Sequence, residues 1–168
     1  MTEHKQIQRG QTEHVRTGEQ SVRHRREFAA PAALVQRAHT DPELFIRWLG
    51  PRGTTVRLDR FDATTGGAFR YVVESASGGA WAFRGSYHFV AGGVITHTWE
   101  YEDEVGVTLE TLQFTDLDST PTSRRSLLEV HSTYTSKAAC DEMLASGLDG
   151  GMDENFERLD EVLASLAG

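Results

Sequence analysis

The sequence is poor in cysteine and in long hydrophobic runs. Cys140 is the only cysteine among 168 residues, so no internal disulfide can form and a reducing compartment fits best. The longest uncharged apolar run, residues 28–35, includes a proline and is eight residues long, whereas a membrane span needs about 20. Residues 1–22 contain too few hydrophobic side chains for a secretory signal. These absences predict a cytoplasmic protein that does not bind membranes.

Positive charge is also scarce. The chain has 17 basic and 25 acidic side chains, a net charge of −8, which argues against binding to nucleic acid or to anionic lipid. The apolar fraction of 38% predicts a globular protein. We expect one domain over residues 22–168, preceded by a polar tail at 1–21. The tail is expected to be disordered or to add weakly to the first strand, and a partner-binding arm is the alternative.

The order of the elements can be read from the pattern of apolar residues and turns. Residues 22–28 predict a short charged strand at a sheet edge. Two short helices follow, the second starting at Asp41-Pro42 and stopped by Gly50-Pro51. Short connections then require antiparallel neighbours. Six strands are predicted, over residues 54–62, 67–75, 80–90, 94–101, 106–115 and 124–134.

One predicted hairpin, formed by residues 80–90 and 94–101, can be placed in register. Its bulky faces coincide if Phe89 lies opposite Ile95 and Tyr87 opposite His97. The connection is then a three-residue loop that ends at Gly93, where glycine suits a left-handed conformation. His97 is thereby expected among aromatic side chains.

The last segment, residues 136–166, has apolar residues at spacings of three and four and predicts one long helix. Its glycines are unusual, since each costs about 1 kcal/mol relative to alanine. They indicate either a kink or break near residue 150, or a place where side chains are missing because something lies beside the helix.

Recognisable catalytic motifs are absent from the sequence. It has no phosphate-binding loop, no dinucleotide-binding glycine pattern and no Gly-x-Ser-x-Gly turn. The seven histidines lack metal-ligand spacing, so we expect no metal and no cofactor. His97 is the best candidate for acid–base chemistry. The alternative to a catalytic role is that His97 is a buried histidine hydrogen-bonded to Tyr87. The sequence does not identify the catalytic residues.

Several short motifs together resemble a known family. They are Phe-Ala-Ala-Pro at 28–31, Thr-Asp-Pro-Glu at 40–43, Arg-Trp-Leu-Gly-Pro at 47–51, Gly-Gly-Ala-Phe-Arg at 66–70, Gly-Ser-Tyr at 85–87, Thr-Trp-Glu at 98–100, the glycine-containing segment 143–152, and Arg-Leu at 158–159. Over residues 22–166 the chain resembles the helix-grip fold of the START-like superfamily, and most closely the homologues of the activator of the heat-shock-protein-90 ATPase. At two positions where that family often has tryptophan, this chain has Leu49 and His39.

The resemblance implies an α+β helix-grip fold, in which a curved seven-stranded antiparallel sheet wraps around a long C-terminal helix. It also implies an elongated cavity that often holds a lipophilic molecule. The residues expected to bind such a ligand are Trp48, Phe69, Trp81, Phe83, Tyr87, His97, Trp99, Met143, Leu144, Gly147, Gly151 and Met152.

Three functions are compatible with these expectations. The first is binding of a small hydrophobic or aromatic molecule. The second is a polyketide cyclase-like or hydro-lyase activity in which His97 or Tyr87 acts as acid or base. The third is a protein interaction, with a chaperone or with a second copy of the chain. The resemblance makes a chaperone role doubtful, because the chaperone-binding N-terminal domain of the eukaryotic activator is expected to be missing.

Overall fold

The computed structural model describes residues 7–118 and 120–167. Strands and helices follow one another in an order that matches the prediction except at the two ends of the chain. The strands are β1 (Thr12–Arg16), β2 (Ser21–Phe28), β3 (Thr54–Phe61), β4 (Ala68–Ser75), β5 (Ala80–Ala91), β6 (Val94–Tyr101), β7 (Thr108–Asp116) and β8 (Ser126–Thr133). The helices are α1 (Ala32–Thr40), α2 (Pro42–Trp48), α3 (Lys137–Ala145) and α4 (Leu148–Leu166).

The strands form one curved antiparallel sheet in the order β1-β2-β8-β7-β6-β5-β4-β3. Helix α4 packs its apolar stripe, which includes Phe156, Leu159 and Val162, into the main core with α1 and α2. The helix-grip prediction is confirmed, with eight strands in place of seven. None of the described helices has the length and apolar character to cross a membrane.

The additional strand is β1, which lies in the segment where a disordered tail was expected. It pairs with β2 from Thr12 opposite Arg26 to Arg16 opposite Val22. Disorder is therefore wrong for residues 12–16, and the alternative of addition to the first strand is right; residues 1–6 lie outside the described part. Because β1 covers β2, the predicted edge strand is an interior one.

Polar side chains fasten β1 to the rest of the fold. His14 Nδ1 lies 2.7 Å from His24 Nδ1, and His14 Nε2 lies 2.9 Å from a carboxylate oxygen of Asp153 on α4. The buried Arg26 donates to Thr12 Oγ1 at 3.1 Å and to Asp160 on α4 at 2.6 Å. Polar contacts of this kind give no apolar periodicity in the sequence, and for that reason the strand at residues 12–16 was not predicted.

The predicted long C-terminal helix is divided into α3 and α4. Gly147 separates them with a φ of +78°, a left-handed conformation that glycine adopts without steric cost. Met143 and Leu144 consequently pack on a small separate cluster of Val22, Tyr134 and Cys140. Of the two interpretations given to the glycines, a break is correct at this one.

The β5–β6 hairpin differs from prediction near its turn. Tyr87 lies opposite His97, as predicted, but a bulge follows and places Phe89 opposite Thr96 instead of Ile95. Gly92 and Gly93, with φ of +59° and +79°, then form a two-residue turn rather than the predicted three-residue loop. The bulge turns Phe89 outward, where 44% of its surface is exposed.

Gly85 offers a test of how closely β5 approaches its neighbours β4 and β6. A Cβ at this position would overlap the Thr98 carbonyl oxygen and lie 2.5 Å from the Phe69 ring. We expect Gly85→Ala to lower the free energy of unfolding by about 2 kcal/mol or more, because backbone cannot yield as a side chain can. Urea denaturation measures the difference. The control is Gly150→Ala, where a Cβ has no atom within 4 Å; a Gly85→Ala protein as stable as this control would contradict the packing.

Candidate functional site

A cavity of about 410 Å³ lies between the concave face of the sheet and helices α2 and α4. Its wall is mostly apolar and aromatic, with a few polar side chains. Volume and lining are both typical of sites for small molecules, which occupy about 300–1,000 Å³. The lining residues are His39, Phe45, Trp48, Leu49, Gly50, Pro51, Phe69, Tyr71, Val73, Trp81, Phe83, Tyr87, Ile95, His97, Trp99, Glu110, Leu112, Val130, Gly151, Met152, Asn155 and Phe156.

Most of the residues predicted from the sequence as ligand contacts line this cavity. They are Trp48, Phe69, Trp81, Phe83, Tyr87, His97, Trp99, Gly151 and Met152. Met143, Leu144 and Gly147 are not among the lining residues, because the break at Gly147 sets α3 apart from α4. That any of these residues contacts a ligand stays a prediction.

One side of the cavity is built from stacked rings on three adjacent strands. Tyr71 of β4 stacks on Phe83 of β5 with centroids 5.2 Å apart, and Phe83 stacks on Trp99 of β6 at 5.3 Å. The Trp99 indole nitrogen donates a hydrogen bond of 3.0 Å to the Tyr71 hydroxyl oxygen. This bond satisfies the indole nitrogen, so the stacked rings present a mainly apolar surface to the cavity.

The cavity opens toward solvent near Trp81 and Gly151. Trp81 belongs to the lining and is still 40% exposed. On the helix side, a Cβ built on Gly151 has no atom within 4 Å. The missing side chain thus leaves open space beside α4 at this position, and whether a ligand lies there stays a prediction.

Polar side chains cross the concave face in a single row. Tyr87 lies opposite His97, His97 opposite Glu110, and Glu110 opposite Ser132, on strands β5, β6, β7 and β8. Burial raises the pKa of the Tyr87 phenol above its ordinary value of 10. Tyr87 is therefore a neutral phenol at neutral pH, able to donate a hydrogen bond but unsuited to act as a base.

His97 has contacts that differ from those predicted. Its Nδ1 lies 3.0 Å from the Thr98 carbonyl oxygen, and its Nε2 lies 3.4 Å from Glu110 Oε2. The nitrogens thus face Thr98 and Glu110 rather than the Tyr87 hydroxyl. Tyr87 instead packs its ring against the imidazole, with centroids 5.8 Å apart.

His39 contributes a second imidazole to the wall. Its Nδ1 is 2.8 Å from the Val35 carbonyl oxygen, and its ring lies between Trp48 and Phe114 at centroid distances of 4.8 and 5.1 Å. Burial lowers the pKa of His39 to about 4. The ring is accordingly neutral at neutral pH and serves as part of an apolar wall.

Several lining residues were missed by the sequence prediction. Tyr71, Leu112 and Val130 occupy inward positions that strict alternation along β4, β7 and β8 indicates. Glu110 could have been found by the same signal, because it shares a face with Leu112 and is an acid at a core-facing position. Within residues 7–118 and 120–167, no group of three or more histidine, cysteine, aspartate or glutamate side chains is arranged to hold a metal ion.

One family model and several solved structures are similar to this chain. The family model described as Activator of Hsp90 ATPase homolog 1-like protein matches residues 29–164. A crystal structure from Rhodobacter sphaeroides is similar at 26% identity and a TM-score of 0.83, over 92% of this chain and 99% of that one. No match to a curated protein is found.

Two further solved structures show the same fold. A solution structure from Arthrobacter aurescens has 22% identity and a TM-score of 0.81, over 92% of this chain and 91% of that one. The AHSA1 protein from Silicibacter pomeroyi has 20% identity and a TM-score of 0.70, over 86% of this chain and 97% of that one.

Proposed function

This chain belongs to the family of Activator of Hsp90 ATPase homolog 1-like proteins, and on that premise we propose that it binds a small, largely apolar aromatic molecule between the sheet and α4. The observation that carries the proposal is the 410 Å³ cavity lined by stacked aromatic rings. An apolar ligand in this cavity removes the apolar wall from water and makes close contacts with it, and both effects favour binding.

The opening near Trp81 and the open space beside Gly151 support the proposal, since a ligand needs a route of entry. The few polar groups on the wall support it as well, because small-molecule sites combine an apolar surface with a small number of orienting polar groups. The experiment is native mass spectrometry of freshly purified protein, followed by a thermal-shift screen with planar aromatic compounds.

We expect a bound mass or a ligand-dependent rise in melting temperature, because a ligand that binds only the folded state stabilises it by about 2.7 kcal/mol at 100 times its dissociation constant. Naphthalene and its derivatives are suitable probes, and a linear alkane of equal carbon number is the matched control for flat shape. No bound mass and no stabilising compound would count against the proposal.

The family description also suggests an interaction with a chaperone. An experiment can distinguish this interaction from ligand binding in the cavity. If the protein acts on the 90-kDa heat-shock protein, saturating amounts should change the ATPase rate of that chaperone. The cavity proposal predicts an unchanged rate together with binding of aromatic probes.

A further inference from the structure

The polar row on the cavity wall has more hydrogen-bonding capacity than its own contacts use. We propose that His97 and Glu110 form a recognition site for a hydroxyl or enol group on an otherwise apolar aromatic ligand. The inference rests on the proposed function, and it specifies the chemical class of ligand that the cavity selects.

The orientation of His97 follows from its backbone contact. A carbonyl oxygen can only accept, so the 3.0 Å contact with Thr98 requires the hydrogen to be on Nδ1. This bond fixes the ring and directs Nε2 at the carboxylate of Glu110. His97 and Glu110 both belong to the cavity lining.

The Glu110 carboxylate is also positioned by a hydrogen bond from the neighbouring strand β8. Its Oε1 accepts a hydrogen bond of 3.1 Å from the hydroxyl of Ser132, a residue that is 1% exposed. Its Oε2 then faces His97. The side chain is thereby positioned by the strand that lies next to β7, and its second oxygen is presented at the cavity wall.

The contact between Nε2 of His97 and Oε2 of Glu110 is longer than a direct hydrogen bond, so a ligand group that lies beside the two atoms can bond to both. At 3.4 Å it exceeds the 2.7–3.2 Å typical of N–H···O hydrogen bonds. A ligand hydroxyl within reach of both atoms can donate to the carboxylate oxygen and accept from a protonated Nε2. Equally, it can donate to a neutral Nε2, because a hydroxyl has one donor and two lone pairs. An ether oxygen can only accept, and a bare ring can do neither.

Aromatic side chains surround His97 and Glu110, and they favour a ligand whose remaining part is apolar and aromatic. The Phe69 ring lies edge-on to His97 with centroids 5.6 Å apart, and the Tyr87 ring lies at 5.8 Å. The side chains of His97 and Glu110 are only 12% and 20% exposed. At such partly buried positions the local dielectric is low, and hydrogen bonds to a charged or strongly polar group are stronger than at the surface.

The test compares three probes on the full chain: 2-naphthol, 2-methoxynaphthalene and naphthalene. Tryptophan fluorescence or calorimetry at pH 7 gives the dissociation constants. We expect 2-naphthol to bind the natural sequence about tenfold or more tightly than 2-methoxynaphthalene, as for one hydrogen bond to a charged group. The ratio of the two constants should fall to about 1–3 in His97→Phe and in Glu110→Gln.

A matched control is Glu104→Gln, which makes the same chemical change on an exposed loop and should keep the ratio of the natural sequence. If 2-naphthol and 2-methoxynaphthalene bind the natural sequence equally while naphthalene also binds, the inference is overturned and the proposed function stands. If none of the three binds, both are overturned. The comparison on the natural sequence decides the matter even if a variant fails to fold.

Discussion

Gly151→Trp should weaken the binding of naphthalene by about 100-fold or more, because the new side chain occupies the space that the ligand needs. A Cβ at this position meets no atom within 4 Å, and Gly151 lines the cavity. Because Gly151 is exposed at the opening of the cavity, an indole there can obstruct the opening without displacing the core. Titration followed by calorimetry measures the change in dissociation constant.

The matched control is the neighbouring residue on the same helix. Gly150→Trp adds the same side chain at a position that also has open space around its Cβ, and Gly150 is not one of the lining residues. Both substitutions replace a helical glycine, so both gain a few tenths of a kcal/mol in helix propensity. Equal affinity in the two variants would show that naphthalene binds outside the cavity.

The second large effect concerns the buried imidazole of His39. Its pKa is lowered to about 4 by burial, against an ordinary value near 6.5. Between these two values the unfolded chain binds a proton at His39 and the folded protein does not. The free energy of unfolding therefore falls as pH decreases through this window, and the stability is fully present only above about pH 6.5.

Between pH 7 and pH 4.5 this loss amounts to about 2–3 kcal/mol. Carboxylates titrate in the same range, so the measurement is a difference between proteins. Urea denaturation at both pH values should give a smaller loss, by about 2–3 kcal/mol, for His39→Phe than for the natural sequence. His39→Gln is a second variant that keeps a donor for the Val35 carbonyl oxygen. Identical pH dependence in all three proteins would contradict the burial of a neutral imidazole.

The parts of the fold that repeat a simple period could be predicted from the sequence. Tight turns between short β-branched and aromatic runs indicate an antiparallel sheet, and spacings of three and four indicate the apolar stripe of α4. The prediction of Tyr87 opposite His97 is correct. It rests on the requirement that the bulky residues of both strands lie on one face of the sheet, which only one register satisfies.

The parts that failed depend on single residues or on polar contacts. The bulge between Tyr87 and Phe89 reverses the side of every following residue on β5, and nothing in the alternation marks its place. Strand β1 is held by the ion pairs of Arg16 and Glu13 and by the contact between His14 and His24, which have no periodic signature.

The candidate site was found in part for the same reason. The aromatic wall follows from alternation along β5 and β6, and the cavity face of α4 was indicated at Gly151 and Met152. Glu110 was missed because an acid on a strand ordinarily faces solvent. Its inward direction follows from the face that it shares with Leu112, and His97 and Ser132 lie opposite it on the neighbouring strands.

The most direct test of the central claim is a crystal structure of the protein grown with naphthalene. We expect electron density for the two fused rings inside the cavity, between the stack of Phe83 and Trp99 and the open face of α4 at Gly151. A cavity filled by the protein's own side chains, with naphthalene only on the outer surface, would contradict the account.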